Sequence, residues 1–285
     1  MNDNIKTTKR ICKEPSCQRE YEAREASILG LTNPIVFGMG YCPDCTKKKH
    51  EEDETREKLI LATEVKNKRE SWRNSCGIPY RFMAHSFETF QPGRSDSLRR
   101  AYNKCIEYAD KYPWRNYRGY QSLALTSDKA WGVGKTHLVC SIAHKIFDKW
   151  DGSPTLSPIR FISESNLFLR IRNTFNRQNN DEVRRETEGD IYREITTVPL
   201  LIVDDMGKEE VSDPRFVQRV WFTIINERYD NMLPMVITAN LNPDALAWHL
   251  GGSRSNSASF ERIMEMTGNV FYQIDTTTYR DLRNR

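Results

Sequence analysis

The sequence has no long hydrophobic run. None of its 285 residues lies in a stretch of 18 consecutive apolar residues, the length that a membrane-spanning helix requires. The first residues, Met1 to Lys6, also lack the apolar segment of a secretory signal. We therefore expect a cytoplasmic protein that has no membrane partner.

A strong excess of charge is also missing. The chain has 43 lysines and arginines and 39 acidic residues, which gives a net charge of +4. Binding to nucleic acid would therefore depend on a local arrangement of basic side chains and not on the charge of the whole chain. A chain of this length can form one sizeable core together with a smaller module.

Cysteines are few but unevenly placed. Four of the seven form two close pairs, Cys12 with Cys17 and Cys42 with Cys45, and 24 residues separate the pairs. In a reducing compartment this spacing favours a Zn²⁺ site over disulfides, because four thiolates can converge tetrahedrally. The first pair is wider than the usual C-x-x-C, so His50 is an alternative ligand. Inert reduced thiols are a further alternative, but a small module with few large apolar residues would scarcely fold without the metal.

A glycine-rich turn lies between a short apolar run and a helical pattern. Such a turn surrounds phosphate with backbone N–H groups at a helix N-terminus, so this context predicts an ATPase. We assign nucleotide binding to Gly132, Val133, Gly134, Lys135, Thr136 and His137. Lys135 would reach the β- and γ-phosphates, and Thr136 would coordinate Mg²⁺. The full signature has glycine where this chain has Lys129, so weak binding or slow hydrolysis is expected.

Two later apolar runs end in polar side chains. The first, at residues 199–203, leads into Asp204 and Asp205, and the second leads into Asn240. The first run has the form of a buried parallel strand with acids at its carboxyl end. In that position Asp204 would help to hold Mg²⁺, and Asp205 would polarise the attacking water. Asn240 taken alone also fits a helix cap.

Strand and helix patterns alternate through most of the chain. Strands are predicted near 121–126, 159–163, 199–203, 234–239 and 270–275, and helices near 96–111, 135–149, 164–177, 181–195, 214–229 and 258–267. This alternation predicts an α/β fold with a parallel sheet flanked by helices. A highly charged segment precedes it and is interpreted as a solvated helix. We therefore predict a zinc-ribbon-like module at 1–50, a helical linker at 51–84 and an ATPase domain at 85–285.

Six segments occur in an order that is shared with a known group of ATPases. They are Gly77–Pro79 with Phe87 and Phe90, Gly134–Leu138, Leu201–Gly207, Ile225–Tyr229, Ile237–Leu241 and Glu261–Met266. In these segments the chain resembles the DnaC/DnaI helicase loaders and the related IstB-like ATPases of the AAA+ class. The resemblance implies an AAA+ P-loop domain that uses ATP and Mg²⁺ and assembles into homo-oligomers. Because the sequence stops at Arg285, we expect no separate helical lid domain.

The same resemblance implies two more catalytic residues. An asparagine at the place of Asn240 orients the attacking water in AAA+ ATPases. Arg262 matches the arginine finger that one subunit supplies to its neighbour's site. Arg254 is the alternative finger, but we prefer Arg262 because it lies on a predicted helix that can hold it rigidly.

Partners are implied as well. The zinc module is similar to that of the DnaI side of the family, which docks on the replicative helicase. An insertion at 164–198 resembles the helices with which initiators and loaders grip single-stranded DNA, and its candidate contacts are Arg170, Arg172, Phe175 and Arg177. We therefore expect an ATP-dependent helicase loader in the initiation of DNA replication. An IstB-like transposition ATPase and a non-hydrolysing ATP-binding adaptor are the alternatives.

Overall fold

The computed structural model divides the chain into two compact units, Met1–Asn67 and Lys68–Arg285. The structure describes residues 5–26, 35–36, 40–93, 95–128, 131–150, 157–175, 186–207, 213–252 and 257–275. No helix in these described ranges is both long enough and apolar enough to cross a bilayer.

The first unit contains a small antiparallel sheet. Its strands are β1 (Ile5–Ile11), β2 (Glu20–Ala26) and β3 (Ile35–Val36), paired in the order β1-β2-β3. Helix α1 (Pro43–Ser75) follows and continues past residue 67. Proline is favourable at the first helical position, where a backbone N–H is not needed. The helix surface carries i,i+4 ion pairs such as Lys47 with Glu51, as expected for a solvated charged helix.

The second unit is built on a parallel five-stranded sheet. Its strands are β4 (Leu123–Thr126), β5 (Ile159–Ser163), β6 (Leu200–Met206), β7 (Met235–Ala239) and β8 (Phe271–Gln273). Their order is β5-β6-β7-β4-β8, and every neighbouring pair is parallel. All residues of β4 and β7 are buried, because strands at the centre of a parallel sheet are covered on both faces. The predicted α/β fold is confirmed.

Helices and a 3₁₀ turn accompany the sheet in the described part of the second unit. The turn is Tyr80–Phe82, and the helices are α2 (Asp96–Lys111), α3 (Lys135–Asp148), α4 (Glu164–Phe175), α5 (Glu188–Thr197), α6 (Pro214–Asp230), α7 (Pro243–Gly251) and α8 (Ala258–Met266). Side-chain caps fix several helix starts, for example Ser95 for α2 and Asn242 for α7. Since Asn242 caps α7, Asn240 does not serve as the cap.

A hydrophobic core lies between the sheet and α6. The predicted apolar stripe of α6 is buried along its length, and Trp221 and Ile224 are fully inaccessible. Burial of such side chains contributes roughly 1.5–3 kcal/mol each. The same helix buries Arg228, whose guanidinium donates to backbone carbonyls at the end of α5, before β6 and before β7. Arg228 therefore fixes the two strands whose carboxyl ends carry the predicted catalytic residues.

Candidate nucleotide site and metal centre

A cavity of about 580 Å³ lies beside the phosphate loop. Its volume is in the range of small-molecule sites. The sequence-predicted residues in its wall are Gly132, Val133, Gly134, Lys135, Thr136, His137, Asp204, Asp205 and Asn240. They come from three places: the loop before α3 together with the first turn of α3, the end of β6, and the residue after β7. The strand order of the sheet therefore brings these residues together.

Glycine is required at two positions of the loop. Gly132 and Gly134 have φ of 76° and 95°, which side-chain-bearing residues rarely adopt. Gly134 is also the N-cap of α3, so the first N–H groups of this helix have no side-chain cap from that residue. A helix start of this kind is a ready site for phosphate. Lys129 lies outside the described residues.

Lys135 is buried at the base of the loop. Its Nζ donates to Ser127 Oγ at 2.6 Å and to Asn240 Oδ1 at 2.7 Å. Burial lowers the pKa of Lys135 to about 8, against the opposing attraction of Asp205 and Asp204. The structure thus places a buried cation against the neutral oxygen atoms of Ser127 and Asn240, which a phosphate could displace.

Asp204 and Asp205 are adjacent in the chain, but their carboxylates accept hydrogen bonds from different residues. Asp204 accepts from Thr136 Oγ1 at 3.0–3.1 Å. Asp205 accepts from Asn240 Nδ2 at 3.3 Å. Burial, followed by repulsion from Asp205, raises the pKa of Asp204 to about 6. A carboxylate and a hydroxyl this close form an oxygen donor set that suits Mg²⁺, so Thr136 and Asp204 fit the predicted ligand roles.

His137 lines the cavity, but its ring contacts the segment that precedes α2. Its Nε2 lies 2.9 Å from Ser86 O and 3.1 Å from Thr89 Oγ1. The ring of Phe90 packs edge-on against it, with centroids 5.0 Å apart. The side chain therefore anchors this segment to the start of α3.

Sequence reasoning missed three polar residues around the site. Ser127 follows β4 directly and contacts Lys135, and Thr238 lies within the apolar run of β7. Glu164, the first residue of α4, is fully buried and accepts hydrogen bonds from Gly207 N, Trp221 Nε1 and His249 Nε2. A polar residue inside or just after an apolar strand was the available signal for all three.

The predicted DNA contacts on α4 differ in their surroundings. Arg170 is paired inside the chain, with Glu186 and with Glu194 at 2.6 Å. Arg172 lies over the ring of Phe216 at 5.4 Å, and the Phe175 ring is 53% exposed. Arg177 lies outside the described residues. Arg170 is therefore already neutralised by the protein, whereas Phe175 presents an aromatic surface to solvent.

Arg262 rests on aromatic rings of α6. Its guanidinium lies 5.5 Å from the centroid of Phe222 and 5.6 Å from that of Tyr229, whose hydroxyl donates to Glu265. These cation–π contacts restrict the side chain to one region of the α6 surface. Arg254, the alternative finger, lies outside the described residues.

The four predicted metal ligands converge in the first unit. The Sγ atoms of Cys12, Cys17, Cys42 and Cys45 all lie within 4.8 Å of one another. Cys17 and Cys42 are 3.8 Å apart. A disulfide would require about 2.05 Å, whereas tetrahedral Zn²⁺ with Zn–S bonds of about 2.3 Å separates its sulfurs by about 3.8 Å. The donor set and its spacing therefore fit zinc.

His50 is not part of this cluster. Its side chain is 75% exposed and pairs with Glu54 on the surface of α1. The described residues thus favour the four-cysteine set over the alternative that includes His50.

Comparison with known proteins agrees with this geometry. The crystal structure of the DnaC helicase loader has 23% identity and a TM-score of 0.53, and the match covers 69% of this chain and 99% of that one. The crystal structure of DnaI has 23% identity and a TM-score of 0.51, with coverage of 70% and 95%. This likeness confirms the expected AAA+ P-loop fold. None of the curated proteins matches in sequence.

A family model matches the central part of the chain. It is described as the bacterial DnaA ATPase domain and covers residues 83–250, which is 168 of 285 residues. The matched range includes the phosphate loop, both aspartates and Asn240. The chain therefore belongs to the bacterial DnaA ATPase domain family.

Proposed function

We propose that this protein is an ATP-dependent loader of a replicative helicase, which acts in the cytoplasm during initiation of DNA replication. The observation that carries the proposal is the convergence of Lys135, Thr136, Asp204, Asp205 and Asn240 in one cavity of a DnaA-family ATPase domain. The four-cysteine module in a separate unit supports it, because a loader needs a second surface for its partner. The similar fold of the DnaC helicase loader is consistent with the proposal.

The five residues divide three tasks between them in this proposal. Lys135 exchanges Ser127 and Asn240 for the β- and γ-phosphates of ATP. Asp205 and Asn240, already hydrogen-bonded to each other, orient and polarise the attacking water. Thr136 and Asp204 would hold Mg²⁺, which neutralises charge on the phosphate oxygens when bound.

Turnover would be completed between subunits of a homo-oligomer. Arg262 would supply its charge to the site of a neighbouring subunit and stabilise the transition state there. Slow hydrolysis is part of the proposal, because Lys129 replaces a glycine that the phosphate-loop signature contains.

The proposal also assigns two binding surfaces. The zinc module of Cys12, Cys17, Cys42 and Cys45 would dock on the hexameric helicase. Helix α4 would contribute to a contact with single-stranded DNA through Arg172 and Phe175, since exposed aromatic and basic side chains together bind unpaired bases and phosphates.

The proposal is tested by helicase capture and by ATP turnover. The tagged full-length chain is expressed in its native cells, and co-purifying proteins are identified by mass spectrometry, with Lys135→Ala in parallel. ATP turnover is measured alone, with single-stranded DNA and with duplex DNA. A stoichiometric replicative helicase and stimulation by single-stranded DNA are expected. Capture of a transposase with stimulation by duplex DNA would favour the transposition ATPase instead, and ATP binding without turnover would favour the adaptor.

A further inference from the structure

A buried threonine hydroxyl joins the two aspartates of the candidate site. Thr238, on β7, has no exposed surface. Its Oγ1 donates to Asp204 Oδ1 at 2.6 Å and accepts from the backbone N–H of Asp205 at 2.9 Å. Valine would suit a buried central strand equally well in shape, and a buried hydroxyl is costly unless it is hydrogen-bonded. The hydroxyl of Thr238 is therefore used both as a donor, to the side chain of Asp204, and as an acceptor, from the backbone of Asp205.

The threonine stands opposite an irregularity of the sheet. Strands β6 and β7 pair regularly up to Val203 and Ile237 and again at Met206 and Ala239. Between these pairs β6 has two residues, both aspartates, where β7 has only Thr238. Two residues opposite one is the arrangement of a β-bulge, which redirects side chains and leaves a backbone group without its ladder partner. The Thr238 hydroxyl supplies that partner.

The bulge has a consequence for the two carboxylates. Asp205 has φ of 57°, a left-handed conformation that is uncommon for a residue with a side chain. Because of this turn the adjacent acids face different partners, Asp204 toward Thr136 and Asp205 toward Asn240. A regular strand would instead point neighbouring side chains to opposite faces of the sheet. Separation of the two acids within one cavity therefore depends on the bulge.

We propose that Thr238 is a positioning residue for ATP hydrolysis: its hydroxyl holds the bulge and so directs Asp204 to the Mg²⁺ side and Asp205 to the water side of the cavity. This inference rests on the proposed nucleotide function and adds a residue to it. Thr238 does not contact the nucleotide in this scheme and acts only through the two aspartates.

The sheet itself offers a matched control. Thr126 is also fully buried, on the neighbouring strand β4, where it pairs with Ala239. Within the part of the chain that the structure describes, its Oγ1 has no hydrogen-bond partner. Thr126→Val and Thr238→Val therefore each remove one buried threonine hydroxyl, from β4 and from β7. Only the change at Thr238 removes contacts to the aspartates.

The test compares the parent, Thr238→Val, Thr238→Ser and Thr126→Val as full-length chains. The readouts are the affinity for a fluorescent ATP analogue in EDTA and in Mg²⁺, kcat and KM for ATP, and the thermal midpoint. In EDTA, we expect the affinity of Thr238→Val for the analogue to stay within about twofold of the parent's. Its Mg²⁺-dependent gain of affinity or its kcat should fall about 10- to 100-fold, because this is the usual cost of losing a residue that orients metal ligands. Thr238→Ser keeps the hydroxyl and should stay within about threefold, and Thr126→Val should behave as the parent.

The outcomes separate this inference from the function on which it rests. A parent chain that binds no nucleotide in either buffer would overturn both. A parent that binds ATP, together with a Thr238→Val chain that matches Thr126→Val in every nucleotide readout, would overturn the positioning role alone. Loss of thermal stability in Thr238→Val, with both kcat and the Mg²⁺-dependent gain of affinity unchanged below the midpoint, would do the same. If valine prevents folding, Thr238→Ala against Thr238→Ser provides the same comparison, because these variants also differ by one hydroxyl.

Discussion

Lys135 Nζ is hydrogen-bonded to Asn240 Oδ1 at 2.7 Å, although 105 positions separate the two residues in the chain. The contact forms because β4, which precedes the phosphate loop, is the parallel neighbour of β7, which precedes Asn240. Asn240 in turn donates to Asp205. The residue assigned to phosphate and the two assigned to the attacking water thus form one chain of hydrogen bonds.

The first prediction concerns Lys135. Lys135→Ala should weaken ATP binding at least about 100-fold, because it removes the buried cation that would face the β- and γ-phosphates. Lys145→Ala is the matched control, since Lys145 lies on the same helix α3 and pairs with Asp110 at 3.1 Å. Titration with labelled ATP measures both. Equal affinity of the two variants would show that the cavity is not the phosphate site.

Much of the fold could be predicted because its signals are local. Strands β4 and β7 and the first part of β6 are short, largely apolar runs, and the stripe of α6 has helical spacing, so these elements follow from pattern alone. Helix α7 was not predicted. It has only nine residues, and one of its large side chains, Trp248, is 64% exposed, so its apolar pattern is weak.

The partners within the site could not be predicted in the same way. Which polar groups meet depends on the strand order β5-β6-β7-β4-β8, and a sequence pattern does not contain that order. The bulge beside Thr238 shifts the pairing of β6 and β7 by one residue. Such a shift leaves the composition and the hydrophobic pattern of both strands unchanged, so the sequence does not reveal it. Motif residues such as Lys135 and Asp204 were found, whereas the residues that hold them, such as Ser127, were not.

A second prediction ranks the candidate DNA contacts on α4 by their effect on DNA affinity. Phe175→Ala and Arg172→Ala should each weaken binding of a labelled oligo-dT about fivefold or more, since a stacked base contributes roughly 1–3 kcal/mol. Arg170→Ala should have a smaller effect, because Glu186 and Glu194 already neutralise that charge.

Fluorescence anisotropy at two salt concentrations measures these affinities. Arg193→Ala is the control, an arginine on α5 that is 75% exposed and pairs with Asp190. If Arg170→Ala caused the largest loss, or if no variant differed from Arg193→Ala, the assignment of DNA binding to this surface would have to be abandoned.

A third prediction concerns stability. Arg228 has no exposed surface, and its guanidinium donates to Ile195 O, Val198 O, Pro199 O and Pro234 O. Burial lowers its pKa to about 9. Arg228→Met would leave these carbonyls without their donor, at a cost of about 3–5 kcal/mol. Urea unfolding followed by tryptophan fluorescence should show a lower midpoint, while the exposed Arg193→Met should not. A midpoint equal to that of Arg193→Met would contradict this role.

The fourth prediction concerns the metal. The purified chain should contain one zinc per molecule, bound by Cys12, Cys17, Cys42 and Cys45, as elemental analysis would measure. Cys42→Ser/Cys45→Ser should lose the zinc and unfold the sheet of the first unit, because a small module of this kind depends on its metal. Cys76→Ala, in the second unit, should retain it. A metal-free preparation with a folded first unit, or full zinc content in the double mutant, would disprove the assignment.

The last prediction concerns Arg262, which we expect to act in a neighbouring subunit. Phe222 and Tyr229 hold its guanidinium on the surface of α6, so the charge is presented from a rigid helix. Arg262→Ala should bind ATP as the parent does and lose most turnover, since a finger can contribute about 10³ to 10⁵ in rate. Arg99→Ala, on the surface of α2, is the control.

Mixing the variants tests whether Arg262 acts between subunits. Neither Arg262→Ala nor Lys135→Ala should hydrolyse ATP well alone, but their mixture should regain part of the parental turnover, because an intact phosphate loop then meets an intact finger. Co-assembly is verified by size-exclusion chromatography of differently tagged chains. A mixed assembly that stays inactive, or parental activity of Arg262→Ala alone, would exclude Arg262 as the finger, and Arg254 would then be the residue to change.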